Sequence, residues 1–583
     1  MTAEKVGGKE ASASESEERD FERVVQSVLV GKFEDWPNEA GFEGLTEVRG
    51  PVNLTVIGLI PSWAAGTLYR TGPGGYTIKD TPKGVFRITH WFDGFAHTHR
   101  FKIIADTNAE DGPVRVEYSS RHQAEQFVDA IRKLGRIPGT SFGQRQDPCI
   151  GLFGKIMSVF RREDPNSAAN ICVTVHADLP GFTSNKEKED LGHRGGKPLY
   201  LHVGTDTSRI KEVHPETLEP IGLARQSSLH PLLKGPLSSA HAQRDPETGD
   251  LFNFNTEMGR CTTYRVFRTN KATGTTDILA TINEKGVKPA YIHSFFLSPS
   301  FLILCIPSSH LGCMGISVPW NGNLIDAIEP FDESKLSKWF VVDRRGGRGV
   351  VASFETEAGF FFHSVNAFEE HDKDTGDVLI FCDAIEYPST EIIRAYEMDA
   401  LLNRNTTATK DENHVRKCLP RLVRRKFQVK AIAGETETQT QTDPTEPMVE
   451  KILEIKAPHV GELPTINPAY ATQRYRYVYS LANHGYSTLY DTIVKTDLLT
   501  RQTVFWQGEV GHTPGEAIFV ARPRSEEKAG DENAEDDGVL LSVVLDGFGK
   551  KSYLVCLDAR SMQELGRAVC EWPVGFGFHG LHV

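Results

Sequence analysis

A six-residue turn word recurs along this 583-residue chain, between short runs rich in β-branched and aromatic residues. It reads His-Pro-Glu-Thr-Leu-Glu at 214–219, Asp-Pro-Glu-Thr-Gly-Asp at 245–250, Asp-Lys-Asp-Thr-Gly-Asp at 372–377 and Asp-Leu-Leu-Thr-Arg-Gln at 497–502. Asp and Asn close turns through hydrogen bonds to their own backbone, and Gly supplies a positive φ. The runs between them include Leu251–Phe254, Phe301–Ile306, Val378–Phe381, Tyr475–Ser480 and Val539–Leu545, and helical periodicity is weak over most of the chain. Repeated strand–turn–strand units over this length predict an all-β chain folded as a β-propeller, whose radial blades leave only short edges. A pair of β-sandwiches satisfies the same composition and stays open at this point.

The formal charge of −13 argues against nucleic acid as a partner, because a nucleic-acid binder shows a basic footprint. Residues 1–18 are polar and acidic and read as a disordered tail, without the apolar run of a secretory signal. No run reaches the roughly 18 apolar residues of a membrane span. Nine cysteines lie scattered without Cys-x-x-Cys pairs, which suits reduced intracellular thiols. These readings lead us to expect an intracellular protein, cytoplasmic or peripherally bound to membranes, with no obligate protein partner. Residues 19–583 form one expected domain, with polar insertions at about 434–447 and 524–538.

Four histidines stand beside strand-like segments far apart in sequence: His241, His293, His363 and His579. Neutral imidazole is a good ligand for iron, copper, nickel and zinc, and four from distant strands can meet only in the finished fold. A single histidine among aromatic residues is more often part of a core, so the set carries the signal rather than any member. Four imidazoles leave a divalent ion its full charge and two octahedral positions open. Structural zinc prefers four-coordinate sites with Cys at short spacings, and no such pattern is present.

The words around these histidines, with Gly-Thr-Leu-Tyr-Arg-Thr-Gly-Pro (66–73), His-Trp-Phe-Asp-Gly-Phe-Ala-His-Thr-His-Arg-Phe (90–101), Glu-Leu-Pro-Thr-Ile-Asn (462–467) and Gly-Glu-Ala-Ile-Phe-Val (515–520), resemble the carotenoid cleavage oxygenase family from about Gly50 to the last residue. The resemblance implies a seven-bladed propeller capped by loops and short helices, with the metal on its axis. It implies Fe(II) held by His241, His293, His363 and His579, with O₂ as co-substrate. It places acids behind the ligands: Glu462 behind the third histidine, Glu516 behind the fourth, and Asp206, where many relatives carry Glu, at the remaining position. His90, His97 and His99 fall in a word that supplies no ligand there and read as structural.

The implied reaction is Fe(II)-dependent cleavage of a conjugated C=C bond of a carotenoid or apocarotenoid to aldehydes. Ser-Ser-Arg-His-Gln-Ala-Glu-Gln (119–126) and Arg-Lys-Leu-Gly-Arg-Ile-Pro (132–138) narrow the resemblance to the fungal branch that cleaves torulene. Central β-carotene cleavage, stilbene cleavage, isomerase chemistry and a non-catalytic lipid-binding propeller are the alternatives. Trp91, Phe92 and Phe295 are expected to line a tunnel for the polyene. Strand alternation places Phe361, and not Phe362, on the face of His363. Ile150, Phe153, Ile156, Met157 and Phe160 follow helical spacing beside Lys155, Arg161 and Arg162, as a helix docking on a membrane surface does. This stretch resembles the membrane-contact segment of the animal isomerohydrolase branch, in which a lipidated Cys stands at the position of Cys149.

Overall fold

The computed structural model describes residues 13–106, 112–145, 169–182, 197–404, 411–430, 449–523 and 535–583. The recurring turn word closes the same loop each time. In Asp372–Asp377 the first residue's N–H donates to the sixth residue's carbonyl, and Gly376 N–H donates back to Asp372 O. The Asp372 carboxylate accepts from Asp374 and Thr375 N–H, so the loop is closed by its own residues. The fifth residue is left-handed in all four words: Leu218 at φ 58°, Gly249 at 72°, Gly376 at 75° and Arg501 at 62°. The loop geometry is strong enough to hold Leu and Arg in a region that favours glycine.

Among the described residues these loops close hairpins in four of five separate antiparallel sheets. Their strands lie at 174–225, 237–282, 296–356, 360–456 and 462–506. The first, third, fourth and fifth sheets have four strands and the second has five. Apart from the small hairpin of Thr77–Thr81 and Gly84–Arg87, the other described strands build one continuous ten-stranded sheet, which corrects the expectation of seven blades. The cause is a single strand, Val52–Gly58. Its first half pairs with Val114–His122 and its second half with Glu564–Cys570, so it fuses the N- and C-terminal strands into a half-barrel. The strand order ends at the last strand of the chain, His579–His582, which pairs with Gly66–Pro73. Apolar clusters fill the spaces between neighbouring sheets; one combines Phe254, Tyr264 and Ile282 with Phe295, Leu304 and Phe340.

The N-terminal tail expected through residue 18 is also corrected, because Ala13–Leu29 is a helix. Phe21, Val24 and Val25 are buried against Val415, Leu419 and Ala457. Lys456 and Arg416 lie over the Phe21 ring, and Arg416 pairs with Glu22. The acidic end of the insertion expected at 524–538 is built into the fold as well. Buried Glu535 accepts from Arg476 and Tyr477 N–H, and Asp536 pairs with buried Lys495. The rest of both insertions, and residues 1–12, lie outside the described residues. Among the described residues no helix is long and apolar enough to cross a membrane.

Candidate metal centre

The leading strands of successive sheets deliver the site. His241 follows Leu237–Ser238, His293 precedes Phe296–Leu297, His363 lies within Phe360–His371, and His579 opens the last strand. Their ligand atoms all lie within 4.8 Å of one another. His293, His363 and His579 are buried, and His241 is partly so. The acids arrive in the same way, with Glu462 opening the strand Glu462–Thr465 and Glu516 lying between His512–Pro514 and Ile518–Ala521. Asp206 sits in the turn after Leu201–Gly204.

Each of the three acids meets one histidine at Nδ1. Asp206 Oδ2 lies 2.8 Å from His293, Glu462 Oε2 2.5 Å from His363, and Glu516 Oε1 2.6 Å from His579. Asp206, one methylene shorter than glutamate, reaches His293 directly. A carboxylate can only accept, so Nδ1 carries the proton and Nε2 keeps its lone pair. His363 and His579 then present bare Nε2 atoms 3.2 Å apart, with no proton to share between them. His241 and His293 bring their Nε2 atoms to 3.1 Å. Lone pairs held this close repel, and a cation among them turns the repulsion into coordination. The donor set therefore fits a divalent metal.

Burial holds His241 well below the ordinary imidazole value, and the other three imidazoles add to the effect. Burial also lowers His363, against the pull of Glu462. Burial raises Glu462, but His363 and the Tyr387 hydroxyl more than offset it, and the carboxyl ends below its usual range. Glu516 behaves likewise, with burial outweighed by His579, Arg70 and Gly580 N–H. Tyr291 O–H donates to Asp206 at 2.9 Å and Tyr387 O–H to Glu462 at 2.7 Å. Both phenols are pushed well above their ordinary value by burial and by those carboxylates, so both stay donors. These tyrosines carry no sequence signal, because the acids they hold are 85 and 75 residues away.

Trp91 and Phe92 lie on a short turn that packs against Phe578, with ring centroids at 4.9 and 5.3 Å. Phe92 also touches Tyr396 and Phe362, and Phe362 stands 5.7 Å from the His293 ring. The alternation rule is overturned here. The strand Phe360–His371 shifts register between Phe361 and Ser364, and this bulge resets which side chains share a face. Phe361 instead packs on Phe296 and Trp339, away from the histidines. Phe295 is also corrected: it is fully buried against Phe254, in the core between two sheets. His97 and His99 lie with ring centroids 4.2 Å apart, tilted to each other, on the half-barrel and do not join the four-histidine group. Cys149, Ile150, Phe153, Ile156, Met157 and Phe160 lie outside the described residues.

The family model described as retinal pigment epithelial membrane protein matches residues 41–583. The chain is 50% identical to a carotenoid dioxygenase of Neurospora crassa, covering 97% of this chain and 94% of that protein. It is 44% identical to a torulene dioxygenase of Gibberella fujikuroi, covering 98% and 97%. Among solved structures, a variant of the Synechocystis apocarotenoid oxygenase (ACO) matches with a TM-score of 0.67 at 22% identity, covering 94% of this chain and 98% of that one.

Proposed function

Because the chain belongs to the family of the retinal pigment epithelial membrane protein and the carotenoid oxygenases, we propose that it is a non-haem iron dioxygenase that cleaves a conjugated C=C bond of a carotenoid or apocarotenoid, with torulene as the model substrate. The observation that carries the reading is the convergence of four imidazoles with three carboxylates at their outer nitrogens, in a chain half identical to a carotenoid dioxygenase. His241, His293, His363 and His579 would hold the metal. When bound, Fe(II) supplies the one-electron chemistry through which O₂ reacts with an alkene.

The remaining work falls to the chain. Asp206, Glu462 and Glu516 keep each Nδ1 protonated and hold each ring plane. Tyr291 and Tyr387 fix two of those acids from behind. Phe362, Phe92, Trp91, Phe578 and Tyr396 form an apolar wall beside the histidines, suited to bind a polyene and exclude water. The reaction asks for no protein nucleophile, so precision of placement is what the residues contribute.

The test is incubation of iron-loaded protein with torulene, β-carotene, an apocarotenal and resveratrol in detergent micelles, under air and without oxygen. An aldehyde pair identified by mass, formed only with O₂ and lost in His241→Ala, is the expected result. A product of unchanged mass and altered double-bond geometry would instead establish isomerase chemistry.

A further inference from the structure

The three carboxylates behind the histidines are not held alike. Asp206 and Glu462 are each backed by a neutral phenol, Tyr291 and Tyr387. Glu516 is backed by a cation. Arg70 Nη1 lies 3.2 Å from Glu516 Oε2 and donates to the Glu516 carbonyl at 3.0 Å. The same Oε2 accepts from Gly580 N–H at 2.7 Å, beside His579 itself. Arg70 is 3% exposed, in the strand Gly66–Pro73 between His99 on one neighbour and Gly580 on the other.

The chain around Arg70 is cut to fit it. A Cβ at Gly515 would stand 3.2 Å from Arg70 Nη2, one at Gly577 3.1 Å from Nη2, and one at Gly580 2.8 Å from Cδ. Gly515 adjoins Glu516 and Gly580 adjoins His579, so the glycines that admit the guanidinium flank the acid and the histidine it serves. A cavity the size of one water molecule lies beside Arg70, His99, Gly515 and Gly577, walled mostly by apolar atoms. A buried arginine is costly unless it is paired, and here Nη1 serves both the carboxylate and the backbone carbonyl of Glu516.

We propose that Arg70 is a positioning residue for His579, acting through Glu516, so that the fourth ligand is oriented by an Arg–Glu–His relay while the second and third are oriented by Tyr–Asp–His and Tyr–Glu–His relays. The guanidinium holds Glu516 through Oε2 and its backbone carbonyl, and the carboxylate in turn holds the His579 ring. This rests on the metal reading given above.

The relay is tested by a double-mutant cycle read on metal affinity, with chelator competition for Fe(II) and the visible absorption of the Co(II)-loaded protein. Arg70→Met and Glu516→Gln are each expected to weaken metal binding about 10- to 100-fold and to shift the Co(II) bands. The combined variant should be no weaker than the more affected single, because both remove one relay. Arg70→Lys keeps the charge without the fork and should fall between. Gly577→Ala, which crowds the guanidinium but touches neither acid nor ligand, should lose affinity several-fold, and together with Arg70→Lys it decides the matter if Arg70→Met does not fold. Multiplicative losses in the double variant, or folded Arg70 variants with wild-type affinity and spectrum, overturn the relay and leave the metal centre standing. Wild-type protein that takes up neither ion overturns the metal reading and the relay together.

Discussion

Replacing Glu462 by glutamine isolates what a charge behind a ligand is worth. The carboxylate is 3% exposed and receives His363 Nδ1 at 2.5 Å, Tyr387 O–H at 2.7 Å and Leu463 N–H at 3.2 Å. Glutamine keeps the shape and removes the charge. A hydrogen bond to a charged group contributes about 1.5–3 kcal/mol and a neutral one about 0.5–1.5, so each bond weakens by roughly 1–1.5 kcal/mol. The Tyr387 bond forms with or without metal, so the His363 bond alone counts: about 1–1.5 kcal/mol, or roughly 5- to 12-fold in metal affinity at 1.4 kcal/mol per factor of ten. Chelator competition for Fe(II) on wild type and Glu462→Gln measures it, with circular dichroism to show that the fold is intact. A folded variant within threefold of wild type would falsify the view that the charge on Glu462 sustains the His363 bond.

Acid should destabilise the chain through its buried histidines. Burial lowers His90 to about 4 and His99 to about 3, so the unfolded chain takes up these protons first as pH falls below 6.5. Their stability is fully present above that value and is lost towards the folded values, by about 4 kcal/mol for the pair at pH 5, which urea midpoints at pH 7 and pH 5 would show. Gly461→Ala would place a Cβ 1.7 Å from the Leu481 carbonyl, next to Glu462, so we expect little soluble protein and no metal uptake in what is recovered, measured as yield and metal content. Phe21→Ala removes a ring 2% exposed beneath Arg416 and Lys456 and should cost about 3 kcal/mol or more, read by chemical denaturation. Unchanged stability in that variant would show that the N-terminal helix does not brace the sheet.

What the sequence disclosed was local, and what it hid was distant. The turn words at 245–250 and 372–377 were readable because Asp and Gly close the loop by themselves, and the same frame carries Leu218 and Arg501. The seven-blade expectation failed at Val52–Gly58, because pairing on both edges of one strand is a property of chain ends meeting across the fold. Phe361 and Phe362 exchanged roles because a bulge inserts a residue that alternation does not count. Arg70 stood in one of the words that carry the family resemblance, yet its partner Glu516 is 446 residues away. The helix Ala13–Leu29 was open to reading, since Phe21, Val24, Val25 and Val28 recur at helical spacing, but polarity over the first residues outweighed that period.

Charge explains why these distant residues belong together. Four neutral imidazoles supply lone pairs and no charge to offset a cation. Asp206, Glu462 and Glu516 supply three negative charges one bond further out, where they cannot coordinate but still act on the centre. Arg70 cancels one of them, leaving this buried group two negative charges. A divalent ion brings the set to neutrality, and a monovalent one does not. The Arg70 cycle reads position and not the charge total: Arg70 acts on His579 only through Glu516, so the two losses overlap, and the relays behind His293 and His363 are spared. An ion held at such a centre keeps its positive charge at the ligand nitrogens, facing whatever the aromatic wall presents, while its compensation stays buried behind the rings.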